Sequence, residues 1–409
     1  MRKFLSILVG SLFVVSSALA AQPVEKDWTL LVYLNGDNNL DSFGAVNIDQ
    51  MEQVGSNDNL NIVVQWASLG AGTTKRVYVQ KFNETNTVSS PIIADIGKTD
   101  MGDYKSLIEF IRWGVQNYPA KHYIVDVWDH GAGWHSIQAM GAGNKHTFHP
   151  TDISWDDNSG NYITTEQLGQ AMAEAAKIMG HKVDIYGSDA CLMAMAEVAN
   201  EMSDSVNLFV GSQETEPGAG WPYGDWLSQW ANTRGADAGL IAKSLVTTYV
   251  KSYQGGSNGN GEVTFSAFDL NKLPALASAV GDLGKEIRAM DATAKANLLN
   301  TAKGVQNFTD ADYGDLLDFM KLMSGAQVPQ TTARAISEVQ SAANAMIIGN
   351  ADTTQFAKAT GLSIWLPTDA STYAANSARY KGLKFNAASD WGSTLDFLLQ
   401  GAKRPVARN

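Results

Sequence analysis

The stretch YIVDVWDHGAGWHS, residues 123–136, decides how this chain is read. It begins as an apolar run rich in β-branched and aromatic residues, which is the pattern of a strand buried on both faces of a parallel sheet. It stops at His130, and Gly131 and Gly133 follow at once. A titratable ring at the end of such a strand, flanked by residues without side chains, has two readings. It is a turn histidine bonded to a carbonyl, or a ring presented to a substrate.

Similar runs surround it. WTLLVYLN (28–35), LNIVVQWASL (60–69), KVDIYG (182–187) and VNLFVGS (206–212) read as further buried strands, and TKRVYVQKF (74–82) alternates like a half-exposed one. Between them, residues 104–118 place Leu107, Phe110, Ile111 and Val115 on one helical face. Residues 164–179 open with Thr164 and Gln167 in the spacing of a capping box. Strands alternating with helices predict an α/β fold with a mostly parallel sheet flanked by helices. Residues 271–350 read as amphipathic helices, which makes the C-terminal region, 271–400, mainly helical, with a boundary near 267–273 and a loose basic tail from 401. GLSIWLP (361–367) is one last strand-like run.

The start, MRKFLSILVGSLFVVSSALA, has Arg2 and Lys3, then an apolar core of about a dozen residues and a small-x-small end. It reads as an export signal over residues 1–20, with a retained anchor helix as the alternative, so the product is expected to be secreted or periplasmic. The apolar core falls short of the ~20 residues of a comfortable span, and no membrane span is expected once the signal is removed. The chain holds 30 Lys and Arg against 42 Asp and Glu, a net charge of −12. That balance argues against nucleic acid and anionic membranes as partners.

The single cysteine, Cys191, cannot form an internal disulfide, so it is either a buried small hydrophobe or kept for its reactivity. In DIYGSDACLMAMAEVANEM it is expected to follow the strand and open a helix over 191–202, where unpaired N–H groups favour the thiolate. His130 and Cys191 both lie just past strand ends, where sites gather in parallel sheets. A histidine beside the thiol can take its proton and return it to a leaving amine. The N–H groups of Gly131 and Cys191 are then the candidate donors to a developing oxyanion.

WTLLVYLNGDNNL, WDHGAGW, GSDACLMAMAEV and GSQETEPGAGWPYG, in this order, resemble the successive motifs of clostripain-like cysteine peptidases, a caspase-like family, over roughly residues 28–270. The resemblance implies a caspase-like peptidase domain, with His130 as base and acid, Cys191 as nucleophile, and cleavage after Arg or Lys. It also implies that Asp189 lies at the floor of the P1 pocket; the alternative is that Asp189, or Ser188, caps the following helix. Gln213, Glu214 and Trp221 become candidates for a wall of the substrate groove, with loop packing as the alternative. The resemblance further implies a processing cut in the long loop between His130 and Cys191, whose one basic residue is Lys145.

No cofactor is required by this chemistry. WDDNSGNYITTE (155–166) approximates a calcium loop but starts on Trp155, so Asp156 and Asp157 give only a weak calcium candidate beside a solvated turn. His146 and His149 lack a third zinc ligand. Asp126 and Asp184 fall inside apolar strands and need partners if buried. Two other readings stay open: a transpeptidase or a peptidase with another P1 preference, and a non-catalytic binding module on the same fold.

Overall fold

A computed structural model describes residues 23–82, 87–136 and 151–399. The export segment 1–20, Lys145, His146, His149 and the tail from 401 lie outside the described residues. The strands are β1 (Lys26–Gly36), β2 (Leu60–Ser68), β3 (Thr73–Tyr78), β4 (Ile92–Gly97), β5 (Ala120–Trp128), β6 (Val183–Asp189), β7 (Val206–Gly211), a small hairpin β8 (Gln254–Gly256) and β9 (Gly259–Asn260), then β10 (Thr264–Asp269), β11 (Tyr313–Asp315), β12 (Ile347–Asp352) and β13 (Ser363–Trp365). Nine of them form one sheet in the order β12-β10-β7-β6-β5-β1-β2-β3-β4. The five central strands, β7 through β2, pair in parallel, and antiparallel strands close both edges. This is the expected mostly parallel sheet flanked by helices.

The strand period of two divides the core. Leu31 and Tyr33 of β1, with Tyr123, Val125 and Val127 of β5, face one layer. Leu30, Val32 and Leu34, with Ile124 and Trp128, face the other. Helices α1 (Asp41–Glu52), α2 (Tyr104–Asn117), α3 (Thr165–Met179), α4 (Ala196–Met202), α5 (Tyr223–Trp230), α6 (Ala238–Ser252) and α7 (Leu273–Arg288) cover the sheet. The buried residues of α1, α5 and α6 join the second layer, and those of α2, α3, α4 and α7 join the first. The capping box of α3 is present: Gln167 N–H donates to Thr164 Oγ1 at 3.1 Å, and Thr164 N–H donates to Gln167 Oε1 at 3.0 Å.

Residues 191–195 depart from the expected helix. Leu192 takes a left-handed φ of 65°, and α4 begins only at Ala196. The physical reason is competition for backbone groups. Leu192 N–H donates to the Glu214 carbonyl at 3.1 Å, Ala194 N–H to Ser212 at 2.9 Å, and the Ala194 carbonyl accepts from Ser363 N–H at 2.9 Å. These tertiary bonds override the helix propensity of an Ala-, Leu- and Met-rich run.

The C-terminal region is helical as read, yet it is not packed separately. Its strand β12 pairs with β10 in the main sheet, and one continuous buried cluster runs from Leu31 to Leu399. Charged groups tie it down. Arg379 makes a two-sided clamp on Asp152 and Glu166, with Nη1 3.0 Å from Asp152 Oδ2 and Nε 3.0 Å from Glu166 Oε1. Glu197, fully buried on α4, accepts from Trp365 N–H at 2.9 Å and Tyr380 Oη at 3.1 Å through the same oxygen, and its other oxygen has no partner. Among the described residues no helix is long and apolar enough to cross a membrane.

Burial pushes the Glu197 carboxyl up to about 7 from 4.5. Between those values the folded chain holds a proton that the unfolded chain releases, so this contribution to stability is present below pH 4.5 and lost as pH rises through 7. Glu197→Gln removes the loss. We expect the variant to exceed the parent by about 3 kcal/mol at pH 8 and to match it near pH 4, measured by urea unfolding.

Candidate active site

β5 and β6 lie side by side in the register Trp128↔Asp189. One further bond, Asp129 N–H to the Asp189 carbonyl at 3.2 Å, carries the pairing past both strand ends. His130 and Cys191 follow, each two residues beyond that paired position, on adjacent rims of the sheet. Gly131 packs against the cysteine main chain so closely that a Cβ there would stand 2.4 Å from the Cys191 carbonyl oxygen. A glycine at 131 is therefore a steric requirement of bringing the two strand ends together.

The NGDNNL segment at the end of β1, residues 35–40, holds the histidine side of the site. Asn38 Nδ2 donates to Asp129 Oδ1 at 2.6 Å, and Asn35 Nδ2 to Asp129 Oδ2 at 2.9 Å, which fixes the end of β5. Asn39 Oδ1 lies 2.6 Å from His130 Nε2. An amide oxygen only accepts, so Nε2 carries the ring proton and Nδ1 keeps the lone pair. Three asparagines close behind a buried strand were the available sequence signal. The half-buried ring is pushed down to about 4 by desolvation, against the opposing pull of Asp157.

Cys191 is also half-buried. Its sulfur accepts from Glu216 N–H at 3.2 Å, and the Gly131 N–H faces it as well. With no helix beginning at Cys191, the expected dipole effect on the thiol is absent. Burial instead pushes the thiol up to about 11. At rest both the thiol and the imidazole are thus neutral.

Asp189 does not cap a helix. It is buried at the end of β6, where Oδ2 accepts from Trp221 N–H at 3.2 Å and lies 2.8 Å from Tyr223 Oη. Gly220 turns past it at φ 61°, and a Cβ there would sit 3.0 Å from both carboxylate oxygens. Tyr223 Oη is also 2.6 Å from Asp126 Oδ2, so its one proton serves either acid; Asp126 Oδ1 has no partner. Desolvation raises the Asp189 carboxyl to about 7. The other strand acid, Asp184, is accounted for by Tyr123 N–H at 2.9 Å and His122 Nδ1 at 3.0 Å.

The segment after β7 corrects the expected groove wall. Gln213 is fully buried and faces the C-terminal region: its amide nitrogen donates to Asp315 at 3.0 Å and Ser363 at 3.1 Å, and its oxygen accepts from Gly361 N–H at 2.9 Å. Glu214 turns the same way, accepting from Thr309 N–H at 3.0 Å. The Trp221 ring is wholly buried in the second layer, and only its main chain reaches Asp189. The side chain of this segment that points inward is Glu216, which the sequence reading did not single out. Both of its carboxyl oxygens are buried without a hydrogen-bond donor.

In the calcium candidate, Asp156 accepts from Met101 N–H at 2.9 Å and Ser159 N–H at 2.8 Å, and Asp157 accepts from Trp155 Nε1 at 2.7 Å, which is turn chemistry. Among the described residues no group of three or more His, Cys, Asp or Glu is arranged to hold a metal ion.

Solved structures share this fold. The chain is similar to a secreted C11 cysteine protease from Bacteroides thetaiotaomicron in complex with an irreversible peptide inhibitor (21% identity, 90% of this chain and 99% of that one, TM-score 0.68). It is also similar to an inactive zymogen C11 protease from Parabacteroides distasonis (17% identity, 90% and 99%, TM-score 0.66). Among curated proteins it is 26% identical to clostripain of Hathewaya histolytica over 303 residues, 62% of this chain, and the match spans 55% of that relative's length. The clostripain family model matches residues 32–397, nearly the whole described chain and both rims of the site, so this protein belongs to the clostripain family of cysteine peptidases.

Proposed function

We propose that this chain is an exported endopeptidase that cleaves after Arg or Lys through Cys191 and His130. The observation that carries the proposal is the placement of these two residues at adjacent strand ends, with Gly131 pressed against the Cys191 main chain. The export signal over 1–20 supports release from the cytoplasm.

In the proposed reaction, a basic P1 side chain enters beside Asp189 and brings the scissile carbonyl to the sulfur. His130 Nδ1 takes the thiol proton as sulfur bonds to the carbonyl carbon. The N–H groups of Gly131 and Cys191 receive the negative oxygen. The imidazolium then protonates the leaving amine, and an acyl-thioester remains. Water, deprotonated by the same ring, hydrolyses it and restores the thiol. These steps run on thiol, imidazole and main chain and require no cofactor, so a chelator should leave turnover unchanged; a loss that calcium restores would give the ion a role in holding the fold.

Processing after Lys145 is part of the proposal. Ala132 N–H donates to the Asp152 carbonyl at 2.8 Å, so the loop containing Lys145 leaves and returns at one place beside the site. The zymogen state of the P. distasonis protein supports a maturation step. Two fragments should form in the parent protein and not in Cys191→Ala or Lys145→Ala, read by gel electrophoresis and N-terminal sequencing. A fully active uncut chain would show the cut to be dispensable.

Two further outcomes test the chemistry. Asp189→Asn should lower kcat/KM for P1-Arg peptides about 100-fold, as expected when one member of a desolvated charge pair is lost; equal cleavage of Leu or Asp at P1 by the parent would contradict the assignment. Alkylation of resting Cys191 by iodoacetamide should climb with pH toward 11, since the thiol is neutral until then. A plateau already reached near pH 6 would mean a preformed thiolate instead. Labelling by a P1-Arg chloromethylketone, lost in His130→Ala, separates the enzyme from a non-catalytic module.

A further inference from the structure

Behind Cys191 the fold gathers more acid than one P1 determinant needs. Glu216 comes from the strap after β7, and its main chain brackets the sulfur: its N–H donates to Sγ at 3.2 Å, and its carbonyl lies 3.8 Å from Sγ. Its side chain turns the other way, to the carboxyl of Asp189. Neither Oε1 nor Oε2 receives a hydrogen bond. Around the two acids stand Asp126 of β5, Tyr223 of α5, and Tyr249 with Tyr253 of α6 and its end, with Cys191 at the mouth. The Tyr249 hydroxyl faces Glu216 without meeting it in good hydrogen-bond geometry, and Asp126 Oδ1 has no partner. Among the described residues none of these acids has a Lys or Arg within ion-pair distance.

Buried carboxyls without a counter-cation are costly, and two held side by side cannot both ionise. The arrangement makes sense as a receptor that is incomplete until a cation arrives. Glu214, two residues earlier, shows the contrast. Its oxygens are taken by Thr215 and Thr309.

We propose that Glu216 is a second P1-specificity residue, facing Asp189 across the pocket, and that the proton this acid pair shares when the pocket is empty leaves as a basic P1 side chain enters. The inference rests on the reading of Asp189 as the floor of a basic P1 pocket. It adds a second charge, reached from a different loop, that is tied through one residue to the nucleophile. Burial supports it, raising Glu216 well above the usual carboxylate range with Asp189 as the next cause.

The test compares peptides with Arg and with citrulline, its neutral isostere, at P1. Glu216→Gln keeps size and main chain and should lower the Arg-to-citrulline ratio of kcat/KM at least 10-fold, mostly through KM. Glu216→Asp should recover part of it. Glu214→Gln, which alters the same strap on its other side, should leave the ratio within twofold. An unchanged ratio in Glu216→Gln, with the ratio lost in Asp189→Asn, would overturn the role of Glu216 and leave the parent reading intact. An unchanged ratio in Asp189→Asn, or no Arg preference in the parent protein, would instead remove the parent reading.

A second measurement does not depend on how Glu216→Gln folds. In Cys191→Ala, where no covalent step intervenes, calorimetry of P1-Arg peptide binding at pH 7 in buffers of differing ionisation enthalpy should show protons released on binding, and none for citrulline. Release of none, or release that persists unchanged in Glu216→Gln, would overturn the shared-proton arrangement.

Discussion

The rest of the site depends on the parallel pairing of β5 with β6 and on its register. Trp128 opposite Asp189 sets every downstream position. It puts Asp126, Trp128 and Asp189 on the face covered by α5 and α6, and brings His130 level with the loop carrying Cys191. A slip of one residue would turn Asp189 to the opposite face and carry it away from Tyr223. The Asp129 N–H bond to the Asp189 carbonyl, with Asn35 and Asn38 holding the Asp129 carboxylate, resists that slip at the point where the strands end.

The same closeness gives the site its electrostatic character. Burial holds the thiol protonated and the imidazole neutral. The two groups are therefore not stored as an ion pair at rest, and the proposed attack needs the ring to take the thiol proton as a carbonyl binds. The acids behind it follow similar logic. Desolvation disfavours their charge, and the proposed P1 role would give that charge a cation to meet.

Much of this was legible in the sequence, for identifiable reasons. β1, β2, β5, β6 and β7 are buried on both faces, so each reads as an uninterrupted apolar run, and the capping box of α3 is local chemistry that needs no fold to specify it. What escaped was decided by tertiary bonds. Residues 191–195 carry helix-forming side chains, yet their N–H and C=O groups are claimed by Ser212, Glu214 and Ser363. Asn39 and Glu216 are polar residues in loops, and only packing shows that one meets the His130 ring and the other turns beneath Cys191. Glu214 and Glu216 are equivalent by composition, and only their tertiary contacts separate them: Glu214 meets Thr309, while Glu216 lies beside Asp189. That β12 joins the main sheet was not legible because the strand is short and its membership follows from pairing with β10.

That strap also explains why a helical C-terminal region belongs to a site made by the sheet. Ser212 Oγ donates to the Thr264 carbonyl at 2.8 Å, and Gln213 N–H to Thr264 Oγ1 at 3.0 Å, so β10 holds one side. Asp315, Ser363, Gly361 and Thr309, all C-terminal, hold the side chains of Gln213 and Glu214 on the other. Between those anchors the strap lends its carbonyls to Leu192 and Ala194 and its Glu216 N–H to the sulfur. Cys191 is thus suspended from a segment whose geometry is fixed more than 90 residues further along the chain. A loop in left-handed conformation at Leu192 would be strained on its own. Here the buried hydrogen bonds from both halves of the protein hold it, and the position of the thiol becomes a property of the whole fold.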